Sequence, residues 1–198
     1  MSNQNMNTPA HIAASLLAGC KLKGWGAVSA LAGGAVMPDA MMFVFYGYQK
    51  WNGQPEKVIW NELYFTAQWQ LFFDLFNSIP IFLFLAVGCY LLELRWFTLF
   101  FASALLHVLC DLPVHNDDAH RHFLPLTHWR FFSPVSYWDP KHFGRYFAIF
   151  ELLFAITTCI LVGRRTEDRA MRVAAFGTLS LYGIAIAIAL LFWVFWIL

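Results

Sequence analysis

His107 and Asp111 stand four residues apart in the segment ALLHVLCDLPVHNDDAHRHF. On a helix that spacing stacks the two side chains on one face. Pro113 ends the helix and passes the chain to His115, Asp117, Asp118, His120 and His122. Imidazoles and carboxylates are the usual nitrogen and oxygen ligands of zinc and related divalent ions. A single HxxxD pair reads as a hydrogen-bonded helix end followed by a solvated loop. Five histidines and three aspartates between His107 and His128 point instead to a metal site. His107, Asp111, His115, His120 and His122 are the candidate ligands, with zinc the expected ion. Asp117 or Asp118 is a candidate general base. Arg121 and Arg130 are candidate guanidinium forks for a phosphate or carboxylate.

Two further candidates lie far away in sequence. His11 falls in the first turn of a short helix opened by Thr8-Pro9. Asp39 follows Pro38 inside an apolar run, where a carboxylate must face protein or water rather than lipid. Asp74 and Asn77 flank the start of another apolar stretch and suit a helix cap or a site equally. His128 and His142 read as interfacial histidines.

The elements that must position these residues are membrane helices. Of the 198 residues 60% are hydrophobic and 13% charged, too few to coat a soluble globule, for which about 25% charged is usual. About 20 apolar residues of helix cross a bilayer. Residues 24–46, 76–92, 96–112, 143–162 and 173–198 give about five expected spans. The short N-terminal helix, running to about Cys20, either dips into the membrane or tucks against its successor. Residues 56–73 mix Trp60, Tyr64, Trp69, Glu62 and Gln68, which suits an amphipathic interfacial helix. The expected fold is therefore all-α: a polytopic transmembrane helix bundle forming one domain over residues 1–198. Its one long polar connection, residues 114–142, bears the site. Gly26, Ala30 and Gly34 at four-residue spacing allow close helix packing or serve as apolar filler.

A net charge of +1 without a long basic run argues for no nucleic-acid partner. Four cysteines with no CxxC pair read as small buried hydrophobes. The first residues lack a basic n-region, so the first apolar stretch is expected to stay in the mature chain. Arg164, Arg165, Arg169 and Arg172 favour a cytoplasmic turn there. Threading five spans from that turn brings His11, Asp39, Asp74 and the polar connection to one face, expected to be periplasmic.

The order of motifs has a likeness. TPAH, MPDA, HVLCD and LPLTHWRFFSPVSYW occur in sequence over roughly residues 8 to 142. Together they resemble the small bacterial inner-membrane proteins classed as membrane-bound metal-dependent hydrolases, some relatives of which carry cobalamin-biosynthesis labels. The resemblance implies a metal site at His11, Asp39, His107 and Asp111. It also implies an inner-membrane location. The chain departs from the pattern where an HRGxTHS-like motif is expected: it reads FFDLFNSIP, with Asn77-Ser78 in place of His-Ser.

The expected function is metal-dependent hydrolysis at the membrane interface, on a phosphate- or ester-bearing lipid-like substrate. The alternatives are a non-catalytic divalent-ion transporter, store or sensor, and a structural or accessory subunit whose polar cluster staples the helices.

Overall fold

The computed structural model describes residues 8–197, with side chains through residue 184. It is helical, with no strand among the described residues. Helix α1 covers Thr8–Ala18, α2 Trp25–Trp51, α3 Glu56–Val58, α4 Ala67–Phe76, α5 Ile79–Leu91, α6 Arg95–Asp111, α7 Gly144–Arg165 and α8 Arg169–Ile197.

Two helices, α2 and α7, are long and apolar enough to cross a membrane among the described residues. A third crossing exists if α4 and α5, bent by 41° at their junction, act as one span. The expected five spans are not supported. A 13-residue α5 is roughly 20 Å long and a 17-residue α6 roughly 25 Å, against a bilayer core of about 30 Å. Hydropathy registered these stretches as apolar but could not see where each helix ends. Of the stretch expected at residues 173–198, residues 173–197 fall within α8 and residue 198 lies outside the described residues, as do the side chains from residue 185 on.

Residues 56–73 are likewise not one amphipathic helix. After α3 the chain makes a π-helical turn, Ile59–Leu63, and then breaks, with Thr66 extended before α4. The break folds Ile59, Tyr64 and Phe73 around the buried Phe45 of α2, with Trp60 and Trp69 beside them. These aromatics form a small core of their own, at edge and stacked angles typical of ring packing.

Helix α6 lies between α2 and α5. The small residues of α2 explain how closely it approaches. A Cβ added at Gly34 would run into the Phe100 carbonyl, and one at Gly26 would touch the Trp96 ring. Short α1 tucks against α2 and also packs on α7, α8 and α6. Leu16, Val28, Leu31, Val162 and Met171 form the apolar core of that junction. Helices α6 and α7 share few contacts, since both lean on α1 instead. The basic turns meet at the other end of α1, where the Gly24 N–H donates to Asp168 Oδ2 at 3.0 Å.

Candidate metal centre

Helices α1, α2 and α6 present polar side chains to one another in two layers. In the inner layer Ser103 Oγ donates to the Leu31 carbonyl at 2.6 Å and lies 2.8 Å from Ser15 Oγ. One helical turn away, the same three helices contribute His107, the Ala35 carbonyl and His11. His107 Nδ1 donates to Ala35 O at 2.6 Å. Pro38, which supplies no N–H, lies in this same stretch of α2. Sequence reading missed Ser15 and Ser103. Their signal was a four-residue spacing from His11 and His107.

Because His107 Nδ1 holds its proton against a carbonyl, Nε2 is the nitrogen that carries either a second proton or, in the neutral ring, a lone pair. That nitrogen faces Asp111 Oδ2 at 2.9 Å and Asp39 Oδ1 at 3.6 Å. The His11 ring stacks on the His107 ring, centroids 3.6 Å apart, and its Nε2 lies 3.0 Å from Asp111 Oδ1. His115 Nε2 approaches Asp111 Oδ2 to 3.6 Å. Lone pairs cannot face carboxylate oxygens unless something positive lies between them, either a proton or a metal ion. A proton at His107 Nε2 would make that ring a cation, because Nδ1 already carries one, whereas His11 can donate to Asp111 from Nε2 as a neutral ring.

The spacing fits an ion. Two ligands, each about 2.0–2.1 Å from one tetrahedral ion, lie roughly 3.3 Å apart. The distances of 2.9, 3.0 and 3.6 Å bracket that value. His11, His107 and Asp111 each bring a ligand atom within 4.8 Å of the others, so this group could hold a metal ion. Asp39 adjoins it, its other oxygen accepting from Thr8 Oγ1 at 2.5 Å. The carbonyl bond to His107 Nδ1 is the orienting contact that metal-bound histidines ordinarily have.

The loop contributes a second group of polar side chains. His115 Nδ1 sits 3.1 Å from Asp118 Oδ2, off the line of a hydrogen bond. Burial disfavours charge on His115, yet Asp118 and Asp111 outweigh burial and raise its pKa well above 6.5. Burial pushes the Asp118 carboxyl up, and His115 more than reverses this. His122 donates through Nδ1 to the Asn77 carbonyl at 3.0 Å. Burial, with His120 and His115 nearby, lowers its pKa to about 4, so it stays neutral. His115, Asp118 and His120 line a small cavity of about 30 Å³ together with Asp39, Asp111 and Tyr137.

Asp117 is solvent-exposed and lines neither this cavity nor the larger one described below. Arg121 and Arg130 are not at the cluster either. Both guanidinium groups reach the fully buried Asp74, Arg121 through Nε and its backbone N–H, Arg130 at 3.4 Å. Arg130 also donates to the Ala119 carbonyl at 3.0 Å. Asp74 thus pins the loop rather than capping a helix. Ser78 caps α5, accepting from the Ile81 N–H. His128 lies against Arg121, and His142 against Asp139.

A chamber of about 310 Å³ adjoins the cluster. His11, Asp39, Asp111 and His115 line it together with Ala10, Ala14, Phe147, Phe150 and Phe154. Tyr137, which the sequence reading passed over, lines both cavities and packs on the His115 ring. Burial and the nearby Asp118 raise its phenol well above 10, so it remains an O–H donor. Comparison with protein-family models, with curated proteins and with solved structures finds no match to this chain.

Proposed function

We propose that the chain is a membrane-bound metal-dependent hydrolase that holds a divalent ion, zinc by its donor set, between His11, Asp39, His107 and Asp111. One observation supports this above the rest. His107 Nε2, its other nitrogen committed to the Ala35 carbonyl, faces an Asp111 oxygen at 2.9 Å. A divalent ion in such a site lowers the pKa of a water to about 7 and polarises a carbonyl or phosphoryl oxygen. His115 extends the cluster toward the loop. Asp118 rather than Asp117 is the proposed proton acceptor, supported by its lining the small cavity with Asp111. Tyr137 offers its O–H to a substrate oxygen. The resemblance to the bacterial inner-membrane hydrolases fits this reading, as does a periplasmic site. Lys21, Lys23, Arg164 and Arg165 lie toward the end of the bundle away from the cluster, the arrangement expected of a cytoplasmic face.

Elemental analysis of detergent-purified protein is the test. About one ion per chain is expected in the wild type and little in Asp111→Asn, with ester turnover that follows the ion. Wild type that neither retains metal nor takes up zinc, manganese or magnesium on titration would overturn the reading.

A non-catalytic staple is the second reading, favoured by the way the cluster joins α1, α2, α6 and the loop. It predicts a large fall in thermal midpoint on chelation and no turnover of any ester or phosphate lipid.

A further inference from the structure

The 310 Å³ chamber beside the cluster has three features that together select an occupant. First, its walls are apolar over most of their area: alanines from α1 and phenylalanines from α7. Second, it lies where α6 and α7 fail to pack together. Cys110 of α6 and Phe150 of α7 line it and are exposed, Phe150 by 60%. The seam adjoins the exposed apolar side chains of α7, a helix long and apolar enough to cross a membrane. Third, its polar lining is rich in carboxyl groups. Asp39, Asp111 and Glu151 stand there with His11 and His115, and no Lys or Arg among the described residues lines it.

Glu151 accepts from Tyr182 Oη at 3.1 Å. One divalent ion balances Asp39 and Asp111, and Asp118 faces His115 at 3.1 Å, so no excess positive charge is left to attract an anion. The two arginines that could have met a phosphate are held by Asp74. A phosphate dianion in this chamber would face the Asp39 and Asp111 carboxylates, and the His115 imidazole there is already engaged by Asp118 at 3.1 Å, whereas an uncharged carbonyl would meet no such repulsion. The volume is near the lower end of the roughly 300–1,000 Å³ usual for ligand pockets. It holds a head group and the first part of a chain, while the remainder passes through the seam.

We propose that the chamber binds a fatty acyl ester, carbonyl toward His11 and Asp111, chain passing between α6 and α7 into the bilayer, and that it excludes phosphate-headed lipids. For turnover, though not for binding, this rests on the hydrolase reading. In the reaction water adds to the acyl carbon and the acyl C–O bond breaks. The leaving oxygen takes a proton, giving a carboxylic acid and an alcohol.

The test uses the full chain with its metal in nanodiscs, probed with a dodecanoyl ester and with dodecyl phosphate. Cys110 labelling by an apolar maleimide, read by peptide mass spectrometry, reports occupancy. Cys89, which is outside the chamber, is the internal control. The ester is expected to slow Cys110 labelling at least 10-fold and leave Cys89 unchanged, while dodecyl phosphate at equal concentration protects at least 10-fold less well. Ala14→Trp, which fills the chamber, is expected to abolish protection without altering metal content. If Ala14→Trp fails to fold, Ala10→Leu serves the same purpose. Protection without hydrolysis would uphold the chamber assignment and count against the hydrolase reading alone. Equal or better protection by dodecyl phosphate, or protection that the filled chamber does not reduce, would overturn the proposal.

Discussion

Asp74 and Asp111 are both buried aspartates beside the same loop, one surrounded by guanidinium groups and the other by imidazoles. Around Asp74 stand Arg121 and Arg130, whose protons never leave, with the His120 imidazole farther off at 3.7 Å. A backbone N–H from Arg121 completes its shell. The cluster acts as a rivet between α4 and the loop. Around Asp111 stand His11, His107 and His115, whose nitrogens take either a proton or a metal. The same carboxylate group is therefore structural in one setting and chemically available in the other. The choice of cationic partner makes the difference.

The comparison can be broken most forcefully at Asp74. Asp74→Ala strands two guanidinium groups in a part-buried place, and breaking such a pair costs about 3–5 kcal/mol. The thermal midpoint in detergent should fall steeply, while metal content per folded chain stays as in the wild type. A midpoint unmoved by this change would remove the rivet.

His122 gives the next largest effect, and its sign is fixed by burial. Its pKa falls from 6.5 to about 4 on folding, so below pH 6.5 the unfolded chain binds the proton that the folded chain refuses. Stability present in full above pH 6.5 is lost as pH falls toward 4, by roughly 3 kcal/mol. Unfolding measured against pH should show that decline, and His122→Asn should flatten it.

Asp111→Asn sharpens the other side of the comparison. Metal affinity is expected to fall by about 100-fold or more, with a smaller loss of midpoint in metal-free protein than Asp74→Ala produces. Isothermal titration with zinc measures the first and calorimetry the second. The reverse pattern, a large loss of stability with affinity intact, would make Asp111 a second rivet.

Ser103→Ala is the mildest change. It removes a buried hydrogen bond to the Leu31 carbonyl, worth about 1 kcal/mol, and should leave metal content alone. A loss of metal here would show that the inner serine layer sets the position of the histidines.

Parts of this arrangement are legible in the chain and parts are not. The shared face of His107 and Asp111 follows from helical spacing, a local property. That Asp39 needs a polar neighbour follows from its apolar surroundings. The fate of Arg121 and Arg130 does not, because a loop arginine has no local rule that names its partner 47 or 56 residues away. Hydropathy also overcounted the spans. It registers greasy residues, whereas the bend between α4 and α5 and the short lengths of α5 and α6 depend on where neighbouring elements stop.

The sequence by itself determined that these helices are apolar and which residues have metal-binding chemistry. Composition and periodicity act within a few turns of one helix, and those features need no more. Only the tertiary structure decided that α1 brings His11 onto the His107 ring. It also paired Asp74 with the arginines and left a chamber open between α6 and α7. Each of these joins groups far apart along the chain, and their meeting depends on how whole helices pack.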